Sequence, residues 1–224
     1  MYEKQINYPC AVVDDNKEGF DIAIDWLGEH VTNRENLTVW IEQKNMINNY
    51  RFLKQFLRVN AVKLVIKIPF DRVDGPVLAV CPHLDTFSYI TTVTGVTALA
   101  VMRGSEDLYT WIKEVNAEVL QCLEYEDNQY VDTNLEIESE LAPEVIAKLK
   151  QITLSINHNK TIAAGDEKNI VVKHLLWLRN NGFTLPAKSM AEWAIAHGWT
   201  KDNPKELMKL VNRINSGVTP RLSY

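Results

Sequence analysis

Polar side chains follow the short apolar runs in the first half of this 224-residue chain. Asp14, Asp15 and Asn16 come after "CAVV", and Gln43, Lys44 and Asn45 after "LTVWIE". His83 and Asp85 come after "VLAVC", and Arg103, Ser105 and Glu106 after "ALAVM". Acids, cations, an amide and an imidazole gathered on one rim could hold Mg²⁺ or a polar or phosphorylated metabolite. Such a gathering requires parallel strands, because open α/β sheets take ligands beyond the carboxyl ends of their strands. The candidate ligand-binding rim is therefore Asp14, Asp15, Lys44, Asn45, His83, Asp85, Arg103 and Ser105. The same residue types also end strands and cap helices, and Asp85 and Ser105 are well placed as N-caps. His83, in "CPHLD", could act as a general base or a metal ligand.

A second chemistry lies near the C-terminus. Lys205, Lys209 and Arg213 recur every four residues, with Lys201 just before them, opposite Leu207, Leu210, Val211 and Ile214. A basic helix face of this kind can follow phosphates, and short helices joined by tight turns are compatible with a helix-turn-helix. An ordinary solvated amphipathic helix has the same pattern. Few exposed Asn or Arg residues stand beside it to read bases.

Other chemistries find no support. His30, His158, His174 and His197 are scattered, and His174 falls on an apolar helix face beside Leu175 and Leu178. Cys10, Cys81 and Cys122 form no CxxC pair, so no zinc cluster is expected and the metal assignment is none. There is no GxGxxG, P-loop, GxSxG or HExxH, so the sequence identifies no catalytic residue and no cofactor.

The elements that must position the rim follow from periodicity. Strands are expected at 10–15, 37–42, 62–68, 77–81 and 98–102. Lys63 and Lys67 alternate with apolar residues in the third, which fits an edge or antiparallel strand. Phe20, Ala23, Ile24, Leu27 and Val31 form one helical stripe; Met46, Tyr50, Leu53 and Leu57 form another. A helix is expected over 84–93, and "DRVDGP" (71–76) reads as a turn-rich connection. Leu108, Trp111, Ile112, Val115, Val119 and Cys122 predict a long amphipathic helix. Only about eight residues separate the third and fourth strands, too few for a parallel crossover of 10–12. That pair is either antiparallel or separated by another strand.

The alternation predicts an α/β fold, a mostly parallel sheet sandwiched by helices in a Rossmann-like or flavodoxin-like arrangement. An α-helical C-terminal domain follows. Residues 1–123 form the α/β domain, 124–142 an acidic linker or edge strands, and 143–224 the helical domain. Residues 124–140 hold seven acids and no base. Helices are expected from Pro143, over 167–180 ending at Asn181-Gly182, over 186–197 ending at Gly198, and from Asn203 as N-cap. Trp193 and Trp199 are expected as core anchors.

Charge divides in the same way. Residues 1–165 carry 15 basic and 24 acidic side chains, whereas 166–224 carry 9 and 5. No apolar run approaches the ~18 residues that span a bilayer, so no membrane association is expected. The N-terminus lacks an apolar signal region, which points to the cytoplasm and reduced cysteines.

Two resemblances add to this. "AVVDDN" and the helix after it, residues 10–31, resemble the opening of response-regulator receiver domains, where paired acids hold Mg²⁺ beside a phosphorylated aspartate. The likeness stops at the third strand, where Lys67 stands in the region of that aspartate. The segments "GPVLAVCP" (75–82), "ITLSINH" (152–158), "AEWAIAHGW" (191–199) and "VNRINSGVTPRL" (211–222) are similar to a family of uncharacterised bacterial proteins. That resemblance implies no catalytic residues, and it implies that both halves belong to one unit.

The expectation is a cytoplasmic binding or regulatory protein without a recognisable catalytic site. The alternatives are a sensor or enzyme for a small polar or phosphorylated ligand at the strand ends, and nucleic-acid contact through the basic helix. A protein partner or homo-oligomer remains open.

Overall fold

A computed structural model describes residues 6–31, 36–66, 72–120, 141–158 and 160–222. Six parallel strands form one sheet: β1 (Cys10–Asp14), β2 (Thr38–Ile41), β3 (Lys63–Ile66), β4 (Arg72–Val80), β5 (Thr94–Arg103) and β6 (Glu118–Val119). Their order is β3-β2-β4-β5-β1-β6. In register, Val12 stands beside Val101, and Trp40 beside Ala79. Every residue of β1 and β2 is buried, as are Val77–Val80 of β4. Apolar runs without alternation are what a sheet covered on both faces demands.

The third and fourth strands are indeed separated by another strand, since β2 lies between β3 and β4. Of the two readings of the lysine alternation, edge or antiparallel, β3 is the edge and runs parallel; its residues are largely exposed, and Lys67 lies outside the described residues. β4 begins earlier than expected. Arg72–Pro76, expected as a turn, continues the strand, and shifts of register on either side of Gly75 absorb the irregularity. At Gly75 an added Cβ would meet the Asn36 carbonyl oxygen at 2.6 Å, which explains the glycine there.

One face is covered by α1 (Lys17–Gly28) and α3 (Arg51–Val59). Phe20, Ala23 and Leu27 of α1 and Leu53 of α3 pack on Val13, Val39, Leu78 and Ala100. Burying each large side chain stabilises by roughly 2 kcal/mol. Asn16 starts α1 by accepting a hydrogen bond from the Gly19 amide at 2.7 Å. The stripe Met46, Tyr50, Leu53 and Leu57 predicts one helix; two are present. The short α2 (Met46–Asn49) and α3 are parted by an extended Tyr50, φ −114° and ψ 95°.

α4 (Leu84–Thr91) joins β4 to β5. Phe87 and Ile90 are buried apart from the α1–α3 cluster. Right-handed crossovers running in opposite directions put α4 on the face opposite α1 and α3.

The described residues divide into two compact units. The sheet unit holds Asn7–Asp107 and β6. The other groups Leu108–Glu114 with the helices α6 (Pro143–Ser155), α7 (Gly165–Asn180), α8 (Ala187–Ala196) and α9 (Asn203–Asn215). The long amphipathic helix expected over 108–122 is instead the seven-residue α5 (Tyr109–Val115). Asn116 then turns with φ 52°, and Val119 lies in β6. Cys122 and the acidic stretch lie outside the described residues.

The helical unit is built on Val145, Leu149, Ile152, Val171, Leu175, Leu207 and Ile214, with Trp193 and Trp199 fully buried among them. Gly182 and Gly198, with φ 82° and 76°, end α7 and α8 in the left-handed cap that favours glycine. Asn203 does not cap α9. The cap position is Asp202, and the buried Asn203 side chain instead accepts from the Ile162 amide and donates to the Lys160 carbonyl, at 3.1 and 3.0 Å.

Candidate functional site at the strand carboxyl ends

A cleft of about 300 Å³ opens where four parallel strands end. Asp15 follows β1; Glu42, Gln43 and Asn45 follow β2; Cys81, Pro82 and His83 follow β4; Gly104 and Ser105 follow β5. Met46, Asn49 and Tyr50 complete the wall. The chain leaves β2 toward one face and the β3 edge, and leaves β4 toward the other face and β5. Divergent exits from neighbouring strands are the arrangement at which open α/β sheets bind ligands.

A hydrogen-bonded chain crosses the floor. The Tyr50 hydroxyl donates to Asp15 Oδ2 at 2.7 Å. A phenol has one proton to give, so the 3.2 Å contact between Cys81 Sγ and the Tyr50 oxygen has the thiol as donor. Burial pushes the Cys81 thiol up to about 12, and it pushes the Tyr50 phenol up as well. Cys81 is therefore a protonated donor at neutral pH. Its φ of 46° is unusual for a residue with a side chain. Gly104 permits that turn, since a Cβ there would meet Cys81 Cβ at 3.0 Å.

A second bonded group joins the β2 and β4 ends. Thr86 Oγ1 donates to Glu42 Oε1 at 2.7 Å, and Glu42 Oε2 lies 3.4 Å from His83 Nε2. Glu42 is thereby tied to the first turn of α4. His83, largely exposed, occupies the α4 cap position without a side-chain cap bond. Asp85 lies in the first turn rather than at the cap. Ser105 lines the cleft four residues before α5 begins, so it does not cap that helix.

Of the eight rim candidates, the structure brings Asp15, Asn45, His83 and Ser105 into the lining of one cleft. The four others do not line it. Asp14 is buried and accepts from Arg103 Nη2 at 2.6 Å, which uses both residues in one internal ion pair. Lys44 is exposed, and Asp85 turns into α4. Sequence reasoning missed Glu42, Tyr50 and Cys81. Glu42 ends the strand expected over 37–42, Tyr50 falls in a helix stripe, and Cys81, which ends the strand expected over 77–81, is half-buried. The signal for Tyr50 lay in the β2-to-α3 connection, where a helix stripe of mixed spacing could break at an aromatic residue. Among the described residues no group of three or more His, Cys, Asp or Glu stands close enough to hold a metal ion.

The basic C-terminal residues are less uniform than their spacing suggests. Lys209 pairs with Glu206 at 2.6 Å, and Lys201 sits before α9 in a left-handed turn, φ 55°. Lys205 is half-buried, and Arg213 is exposed.

Comparison with known proteins places the likeness elsewhere in the chain. Residues 142–223 match the family model of a domain of unknown function (DUF1889). The match takes in α6 to α9, well under half of the chain. The segments at 152–158, 191–199 and 211–222 fall inside it, and 75–82 falls outside. No curated protein matches the chain, and no solved structure does. The cleft thus lies in the region without a family match. No described helix is long and apolar enough to cross a membrane.

Proposed function

We propose that the α/β unit is a small-molecule binding module of a cytoplasmic regulatory protein, with the strand-end cleft as its site. The observation that carries this reading is the position of the cleft. It opens where the β2 and β4 connections diverge, and polar groups from four strand ends line it. The lining offers hydrogen bonds in both directions: amides from Gln43, Asn45 and Asn49, a hydroxyl from Ser105, and carboxylates from Asp15 and Glu42.

Binding is favoured over covalent catalysis. The obvious nucleophile, Cys81, is held as a thiol. The residue after it, Pro82, has no amide N–H to stabilise an oxyanion there. The two described cysteines are free thiols, which suits a reducing compartment.

The test is a thermal-shift screen of the full chain against sugars, polyols, amino acids, polyamines, sugar phosphates and a short DNA duplex. A ligand at 100 times its Kd stabilises by about 2.7 kcal/mol, a shift of several degrees. The shift is expected to vanish in Glu42→Gln or His83→Ala and to survive in Lys205→Glu/Lys209→Glu. A shift produced by a DNA duplex and lost in the lysine variants would replace this reading with nucleic-acid contact.

A further inference from the structure

The charge of the cleft wall narrows the occupant further, resting on the reading of the cleft as a ligand site. We infer that the cleft takes a small molecule bearing a protonated amine rather than a phosphate. Two carboxylates, Asp15 and Glu42, belong to the wall, and among the described residues no lysine or arginine does.

Groups near the rim that could bind an anion have other partners or lie outside the lining. Arg103 Nη2 donates to the buried Asp14 at 2.6 Å, and Arg103 is not among the wall residues. The first turn of α1 is closed by the Asn16 side chain on the Gly19 amide. The first turn of α4 carries its own Asp85 and holds Glu42 through Thr86. An anion entering the cleft would meet two carboxylates and, among the described residues, no lysine or arginine, with His83 already beside Glu42; the partial positive charge of the α4 N-terminus faces acids as well.

An ammonium group finds the reverse. Asp15 gives one oxygen to Tyr50, which leaves lone pairs on both of its oxygens for a second donor. Glu42 likewise keeps acceptor capacity beyond its bond from Thr86. The amide oxygens of Asn45 and Asn49 can accept the remaining N–H groups, and their NH₂ groups can serve hydroxyls on the same ligand. The chemical class is therefore a small polar amine, such as a diamine, an amino sugar or an amino alcohol.

Cys81 supplies a reporter inside the cleft. In a Cys122→Ser background, with Cys10 buried, Cys81 is labelled with two methanethiosulfonates of similar size, one trimethylammonium and one sulfonate. Cys81→Ser in the same background gives the blank. Relative to a free thiol, the cationic reagent is expected to react faster by on the order of tenfold at low salt. Asp15→Asn or Glu42→Gln should each reduce that preference, and millimolar putrescine should slow labelling where glucose 6-phosphate does not. Equal rates, or a preference for the sulfonate, overturn the inference. Protection by glucose 6-phosphate without protection by putrescine overturns it while the cleft stands as a site. A cationic preference without protection by putrescine overturns the amine and leaves an acidic surface. Equal rates with protection by neither remove the inference and the binding site together.

Discussion

The two units use buried and half-buried polar groups in opposite ways. In the helical unit, polar side chains are turned inward on the fold. Glu192 accepts from the Thr110 and Trp111 amides at 2.8 and 3.3 Å, and so caps α5. Asn203 clasps the 160–162 loop, Asn215 donates to the Leu185 carbonyl, and Trp199 Nε1 donates to Thr153 Oγ1 at 2.8 Å. Thr153 in turn donates to the Leu149 carbonyl. In the sheet unit the Asp14–Arg103 pair is internal, but Asp15, Glu42, Asn45, Tyr50 and Cys81 line an open cleft at or beyond the strand ends. The family match covers the first kind of region and leaves out the second. Sequence likeness here marks a way of folding, and the candidate chemistry lies where that likeness stops.

The largest test of this contrast is Trp199→Ala. Removing a fully buried indole and its bond to Thr153 is expected to cost about 3–5 kcal/mol. Residue-resolved hydrogen exchange should show the loss in α6 to α9. An equal loss in the amides of β4 and β5 would break the distinction between the units. Next is Arg103→Met, at a rim candidate that the internal ion pair with Asp14 takes up. It leaves Asp14 buried without its partner, at a cost of about 3 kcal/mol by urea unfolding. Adding Asp14→Asn should recover much of that. If Arg103→Met is neutral, the ion pair is idle and Arg103 returns to the list of ligand candidates.

Glu192→Ala strips two amides of their acceptor and should cost about 2 kcal/mol by the same measurement, with Glu192→Gln less damaging. The result to watch is α5, whose amides should lose protection first. The smallest effect is electrostatic. Burial first, then the Lys148 charge, holds His174 below its ordinary value of 6.5. The unfolded chain takes up that proton near 6.5 while the folded chain resists, so stability should fall as pH drops below about 6.5. Lys148→Met should raise the His174 titration midpoint measured by NMR. An unchanged midpoint would leave burial as the whole cause.

Much of the fold was legible. Continuous apolar runs such as Val77–Val80 read as buried central strands, and the lysine alternation of the third strand left an edge or an antiparallel strand, of which the edge is found. The spacing argument that β3 and β4 are either antiparallel or apart held through its second branch. What was lost was lost for local reasons. Leu108, Trp111, Ile112 and Val115 share a helical stripe with Val119, but Asn116 in a left-handed turn ends the helix between them. Asn203 has the sequence of a cap, yet a buried loop competes for its side chain and wins. Half of the rim was legible because strand ends in a parallel sheet converge. Tyr50 and Glu42 were not, because their roles depend on a broken helix and a bond across the cleft to Thr86.

The strand order also sets a timetable for folding. β4 and β5 are joined through α4 alone, so their pairing is local and can form as soon as both exist. β1 is synthesised well before its partner β5, and Cys10 must find Leu99 across 89 residues of chain. Closing so long a loop costs entropy before any contact repays it. β1 is thus placed between β5 and β6 only after both exist, and until then its apolar "CAVV" run lacks those neighbours. Nascent chains stalled before residue 99 should need a chaperone's cover more than chains stalled after it.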